Sequence, residues 1–147
     1  MTRSTTSFFP DINVWVALTS ARHVHHQVAH DFWDDAPTQA RFFFCRYTQI
    51  GLLRLLSMKA VMGRDTMNQS QAWTTYDRWF EDSRVEFAEE PHGVEPFFRV
   101  LTRLRHPSPK AWPDAYLAAF ADAAGLTLVT FDRALRAKSK SALLLAE

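Results

Sequence analysis

The sequence predicts an α/β domain: a mostly parallel central sheet flanked by helices. Three observations lead there. Short apolar runs such as "ARFFFC" (40–45) have the make-up of a central parallel strand. Longer segments with helical spacing lie between such runs. Strand-like and helix-like segments then alternate along the chain, the order expected of parallel strands joined by crossover helices.

Taken in order, "TSFFP" (6–10) is a short aromatic strand and "INVWVALTS" (12–20) a short helix. "HHQVAHDFWDDA" (25–36) is a second helix with Val28, Phe32 and Trp33 to one side. After the strand at 40–45, "RYTQIGLLRLLSM" (46–58) has helical spacing through Ile50, Leu53 and either Leu56 or Ser57. "TMNQSQAWTTYDRWFED" (66–82) is a helix presenting Trp73, Tyr76 and Phe80, and "RVEFAEE" (84–90) alternates as a strand. "GVEPFFRVLTRLR" (93–105) is a helix with Pro96 in its first turn, where proline is tolerated, and "HPSPK" (106–110) breaks it. "PDAYLAAFADAAG" (113–125) carries a start signal, an alanine-rich body and a terminal Gly125. "LTLVTFD" (126–132) follows as a strand, "RALRAK" (133–138) as a short helix and "ALLLA" (142–146) as a final strand. No repeat or internal boundary interrupts this pattern, so residues 1–147 are expected to form a single domain.

Composition narrows the function classes. With 47% apolar and 22% charged residues in 147, the chain has the balance of a soluble globular domain, and twelve Phe and five Trp supply much of its core. Cys45 stands alone, which excludes an intramolecular disulfide and fits a reducing, cytoplasmic setting. No signal-peptide pattern opens the chain, and no run approaches the roughly 20 apolar residues of a membrane span. The net charge of +1 is unevenly spread. Acids crowd 77–95, whereas Lys and Arg outnumber acids from Pro96 onward, a balance that suits a polyanionic partner.

In open α/β sheets, ligands bind beyond the carboxyl ends of the strands. Three aspartates are expected at that edge: Asp11 after the first strand, Asp132 after the strand at 126–132, and Asp114 at the start of the alanine-rich helix. Asp114 and Asp132 each also suit a helix start, where a carboxylate satisfies free N–H groups. Asp11, inside an apolar stretch, is harder to explain that way. Clustered carboxylates repel unless a cation answers them. A hard divalent ion with oxygen ligands removes that cost, and the chemistry it enables is hydrolysis of a phosphodiester.

These residues also carry a resemblance. "FPDINVWVAL", "CRYTQIGLLRLLSMKAVMG" and "PDAYLAAFADAAGLTLVTFDRAL", in this order and spacing, resemble PIN-domain ribonucleases, in particular the VapC-type toxins of toxin–antitoxin pairs. The resemblance implies a divalent-metal-dependent endoribonuclease using Mg²⁺ or Mn²⁺. Its Asp-x-Asn motif falls on Asp11 and Asn13, its Asp-Ala helix start on Asp114 and Ala115, and its Thr-x-Asp motif on Thr130 and Asp132. Asp11 and Asp114 are thereby implied to hold the metal, Asp132 to complete the catalytic acids, and Asn13 and Thr130 to steady them. A fourth acid of many family members has no counterpart. Counting from Thr48 puts Gly51 there, or Gln49 two residues earlier, so Gln49 is expected to stand in. The resemblance further implies an RNA substrate, a small antitoxin protein, a homodimer and no membrane partner.

Other features complete the reading. Arg99 and Arg103, one helical turn apart, are candidate RNA-phosphate contacts, with Arg105 and Lys110 beyond them and Trp112 placed to stack on a base. His23, His25, His26 and His30 have metal-ligand spacing in part, but a solvated helix start accounts for them better than zinc. Two other functions are open to such a sequence: a catalytically silent PIN-fold RNA or protein adaptor, supported by the missing acid, and a receiver- or phosphatase-like domain. The second lacks the paired acid and the late lysine that it requires.

Overall fold

The computed structural model describes residues 6–146. Five strands, β1 (Ser7–Pro10), β2 (Arg41–Phe44), β3 (Val85–Phe87), β4 (Thr127–Thr130) and β5 (Ala142–Leu144), form one sheet in the order β3-β2-β1-β4-β5. Every pairing in it is parallel. The helices are α1 (Ile12–Thr19), α2 (His26–Asp35), α3 (Arg46–Leu56), α4 (Lys59–Met62), α5 (Gln69–Trp79), α6 (Val94–Leu101), α7 (Ala111–Ala124) and α8 (Arg133–Arg136).

Alternation along the central strands sorts their aromatics onto two faces. Phe8, Phe42 and Val129 pack with Trp15, Trp33, Leu52 and Tyr76 beneath α1, α2, α3 and α5. Phe9 and Leu128 pack with Leu117, Phe120 and Leu135 beneath α7 and α8. Stacked rings fix the first layer, with Trp15 on Phe44 at 3.9 Å and Trp33 on Phe42 at 4.1 Å between centroids. On the second face, small side chains let α7 lie close to the sheet: Ala115, Ala118, Ala119 and Ala121 are buried along it. Gly125 ends α7 at φ 70°, a left-handed conformation that glycine adopts without a Cβ clash, and β4 begins two residues later.

Three expectations about helix faces and ends are corrected. Ile50 does not face the core: α3 buries Thr48, Gln49, Leu52 and Leu56, leaving Ile50 exposed. The stripe through Leu52 and Leu56 matches helical spacing as well as the one through Ile50 and Leu53, and contact with α1 decides between them. On α5, Ala72 and Tyr76 turn inward while Trp73 stays exposed. Helix α7 begins at Ala111 rather than Pro113, so Asp114 lies inside the first turn instead of capping it. Between α3 and α5, α4 and a 3₁₀ turn at Gly63–Asp65 add two short elements that hydrophobic periodicity does not announce.

Candidate active site

Asp11 follows β1 directly and is the N-cap of α1. The amide of Val14 donates to its Oδ1 at 3.0 Å, and its own amide donates to the Val129 carbonyl at 2.9 Å. Thr130, the last residue of β4, donates from Oγ1 to Asp11 Oδ2 at 2.5 Å. The same hydroxyl oxygen accepts the Asp132 amide at 3.0 Å, so Thr130 ties the ends of two neighbouring strands together. Asp11 is only 5% exposed. Burial pushes its carboxyl up from 3.8 to about 6 despite hydrogen bonding from Thr130 and from the Val14 and Asn13 amides that favours the anion, and the nearby Asp132 charge adds to the rise.

Asp132 caps α8, its Oδ1 accepting the amides of Ala134 at 2.8 Å and Leu135 at 3.3 Å. Its Oδ2 accepts the Lys110 ammonium at 2.6 Å, and that contact, ahead of the capping amides, holds its carboxyl below the usual range. Lys110 Nζ also lies 3.5 Å from Asp114 Oδ2. Because α7 runs back toward the start of β4, its first turn stands at the carboxyl edge of the sheet, and Asp114 reaches the same pocket. That pocket, of about 200 Å³, is lined by Asp11, Asn13, Asp114 and Asp132 together with Tyr47 and Lys110. The capping roles of Asp11 and Asp132 are therefore real and do not exclude a second role.

Gln49 is buried, but its side chain is turned elsewhere. Its Oε1 accepts Arg46 Nη1 at 2.7 Å, its amide also meets the Tyr76 phenol, and it does not line the acid pocket. Gly51 does not line the pocket either, and it packs against α1. A Cβ at Gly51 would come within 2.2 Å of Ile12 Cδ1 and 2.6 Å of Ile12 Cγ1, so the side chain after Asp11 fills the space that a residue at 51 would use. Two polar residues of the pocket are not among the site residues expected from sequence: Tyr47 and, in this role, Lys110. Tyr47 follows β2 by three positions, and its location beyond the carboxyl end of a parallel strand is the signal that would have found it.

Arg99 and Arg103 line a separate pocket of about 510 Å³ with Glu95, Phe98, Thr102 and Trp112. Arg99 Nε is paired with Glu95 Oε2 at 2.8 Å, and Trp112 is 58% exposed. Trp112 and Pro113 are adjacent residues in the α7 first turn, Trp112 lining this pocket and Pro113 the acid pocket. The histidines serve local structure: His26 Nδ1 lies 2.7 Å from the Ala17 carbonyl oxygen, and His23 Nδ1 accepts the His25 amide at 3.0 Å. A larger cavity of about 650 Å³, lined by Arg22, Arg64 and Arg78 among others, contains none of the three candidate acids.

The donor set suits a hard divalent cation. The ionisable ligands facing the pocket are carboxylates, and an ammonium already spans two of them. Among the described residues no three His, Cys, Asp or Glu side chains converge into a ready-made cluster. The cation that fits is thus one that keeps water in its shell, as Mg²⁺ does.

Comparison with known proteins agrees with this layout. The PIN domain family matches residues 8–141. Ribonuclease VapC41 of Mycobacterium tuberculosis is 40% identical over 128 residues, covering 84% of this chain and 88% of that one. Ribonuclease VapC29 of the same organism is 33% identical over 128 residues, covering 85% of each. Among solved structures, VapBC2 from Rickettsia felis, bound to a promoter DNA fragment, superposes with a TM-score of 0.67 at 14% identity, over 93% of this chain and 96% of that one. M. tuberculosis VapC20, described as a sarcin–ricin loop cleaving toxin, gives 0.65 at 19% identity, over 88% and 93%.

Proposed function

The chain belongs to the PIN-domain family, among its VapC-type ribonucleases, and from that premise we propose that it is a toxin that cleaves RNA endonucleolytically with a bound divalent cation. The observation that carries this reading is the meeting of Asp11, Asp114 and Asp132 in one pocket, from three separate segments of the chain. Divalent-metal dependence is general to the family. In this chain we assign Asp11 and Asp114 to hold the ion, Mg²⁺ or Mn²⁺, with Asp132 completing the acidic set. Such an ion neutralises charge developing on a phosphodiester and makes water a better nucleophile.

The protein's own part is to orient and to bind. Thr130 fixes the rotamer of Asp11 through its hydroxyl, so the carboxylate cannot turn away when charged. Asn13, exposed at the pocket edge, is placed to hold water or a phosphate oxygen. Arg103, with Arg99 once it leaves Glu95, offers phosphate contacts along the adjoining groove. A small antitoxin is the expected protein partner. Exposed Ile50 and Trp73, on the neighbouring helices α3 and α5, suit burial against a protein and support a homodimer.

The test is cleavage of a structured RNA at millimolar Mg²⁺ or Mn²⁺ by the wild type beside Asp114→Asn. The variant is expected to lose on the order of a hundredfold or more in rate. Equal products from both proteins, or none from either, would defeat the nuclease reading. One observation favours a second reading, that of a silent RNA-binding adaptor: Ile12 stands against Gly51, where many family members carry a fourth acid. RNA binding without cleavage under those conditions would select it.

A further inference from the structure

Lys110 is the N-cap residue of α7, and its ammonium contacts two of the three candidate acids: Asp132 at 2.6 Å and Asp114 at 3.5 Å. Those acids come from different elements, so nothing in helix capping calls for a lysine between them. The lysine side chain is 68% exposed, whereas Asp114 is 13% exposed. A long solvated arm thus reaches inward to the largely buried Asp114 and to Asp132, whose carboxylate the α8 amides hold. An ion pair whose cation stays solvated contributes little net stability, so this arm can leave at small cost.

We propose that Lys110 is a built-in counter-ion that occupies the cation position at Asp114 and must swing out before a divalent ion is held there. The inference rests on the metal-dependent reading above. Two opposing effects follow from one ammonium. It relieves repulsion between the acids in metal-free protein, and it competes with the ion for the Asp114 carboxylate and repels it at short range. Once displaced, it stays tethered at the N-cap of α7, at the mouth of the pocket.

The experiment is calorimetric titration of Mn²⁺ into EDTA-stripped wild type, Lys110→Met and Lys110→Arg. Removing the competitor should tighten Mn²⁺ binding by about three- to tenfold in Lys110→Met, with Lys110→Arg close to wild type. A second readout follows the arm itself. Acetylation of Lys110, mapped by mass spectrometry, should be faster with Mn²⁺ than with EDTA, while Lys59 and Lys138 react alike in both. Equal dissociation constants for wild type and Lys110→Met, or Lys110 reactivity unmoved by Mn²⁺, would overturn the proposal while leaving the metal reading intact. Absence of Mn²⁺ binding by all three proteins at millimolar metal would bring down the metal reading and this inference with it.

Discussion

Asp11 bears the largest electrostatic cost among the candidate site residues. Its carboxyl is raised from 3.8 to about 6 chiefly by burial, so the folded state disfavours the anion relative to the unfolded chain. This group contributes nothing adverse below about pH 4, and stability is lost as pH rises through about 6, by roughly 3 kcal/mol in all. Metal-free protein should therefore be less stable at pH 7.5 than the rest of its charges predict, and Asp11→Asn should be more stable than wild type there by about 1–3 kcal/mol. The advantage should vanish at pH 4 and shrink when Mn²⁺ is added to wild type, because a cation answers the buried charge. Thermal melts in EDTA and in Mn²⁺ at the two pH values check this; a variant no more stable at pH 7.5 would show that the site bears no such cost. Asp11 was legible in the sequence because a carboxylate in an apolar run needs a reason. Asp114 and Asp132 were legible by their places at element ends. The direction in which Gln49 turns was not legible, because sequence distance along a helix does not say which way a side chain points. Arg46 and Tyr76 claim it, and neither contact is visible in the sequence.

At the scale of elements, the missing acid is a packing matter between α1 and α3. Gly51 leaves room for Ile12, and a side chain added at 51 meets Ile12 carbons at 2.2 and 2.6 Å. Replacing a helix-interior glycine normally gains up to about 1 kcal/mol of helix propensity. Overpacking here costs about 1–3 kcal/mol, which outweighs it. Gly51→Glu is therefore expected to lower stability by about 1–2 kcal/mol, and Ile12→Ala in the same chain to recover most of that loss. A double-mutant cycle by urea unfolding measures the coupling. Strictly additive effects would show that the two residues do not share the space. The sequence revealed the absence of the acid at 51 but not its cause, because Ile12 and Gly51 lie far apart in the chain and only the α1–α3 contact joins them. The misread faces of α3 and α5 have a related origin. Both helices carry apolar residues on more than one side, so periodicity alone offers two stripes, and tertiary packing buries Leu52 rather than Ile50 and Tyr76 rather than Trp73.

Across the whole molecule, strand and helix identities were legible because parallel strands buried on both faces are short and apolar, and the helices between them are amphipathic. Strand order was not, since β1 pairs with both β2 and β4 through contacts remote in sequence. The same remoteness hid the groove of Arg103 and Trp112, which forms where α6 packs on α7, with the Trp112–Pro113 step as its junction along the chain with the acid-pocket lining. That junction makes a prediction about how RNA is held, tested in an Asp114→Asn background where the RNA survives. Each phosphate contact to a single strand contributes about 0.7 to the slope of log affinity against log salt. Arg103→Ala should therefore flatten that slope by about 0.7, weakening binding most at low salt. Trp112→Ala should instead leave the slope unchanged and cost about 1–3 kcal/mol at every salt concentration, as loss of a stacking ring does. Neither change should alter Mn²⁺ affinity, because both side chains line the groove and neither lines the acid pocket. Fluorescence anisotropy with a labelled single strand across a salt series separates the two behaviours. If both variants bind as their parent does, the RNA path leaves the acid pocket on another side, and the basic stretch from Arg99 to Arg103 is a solvated face.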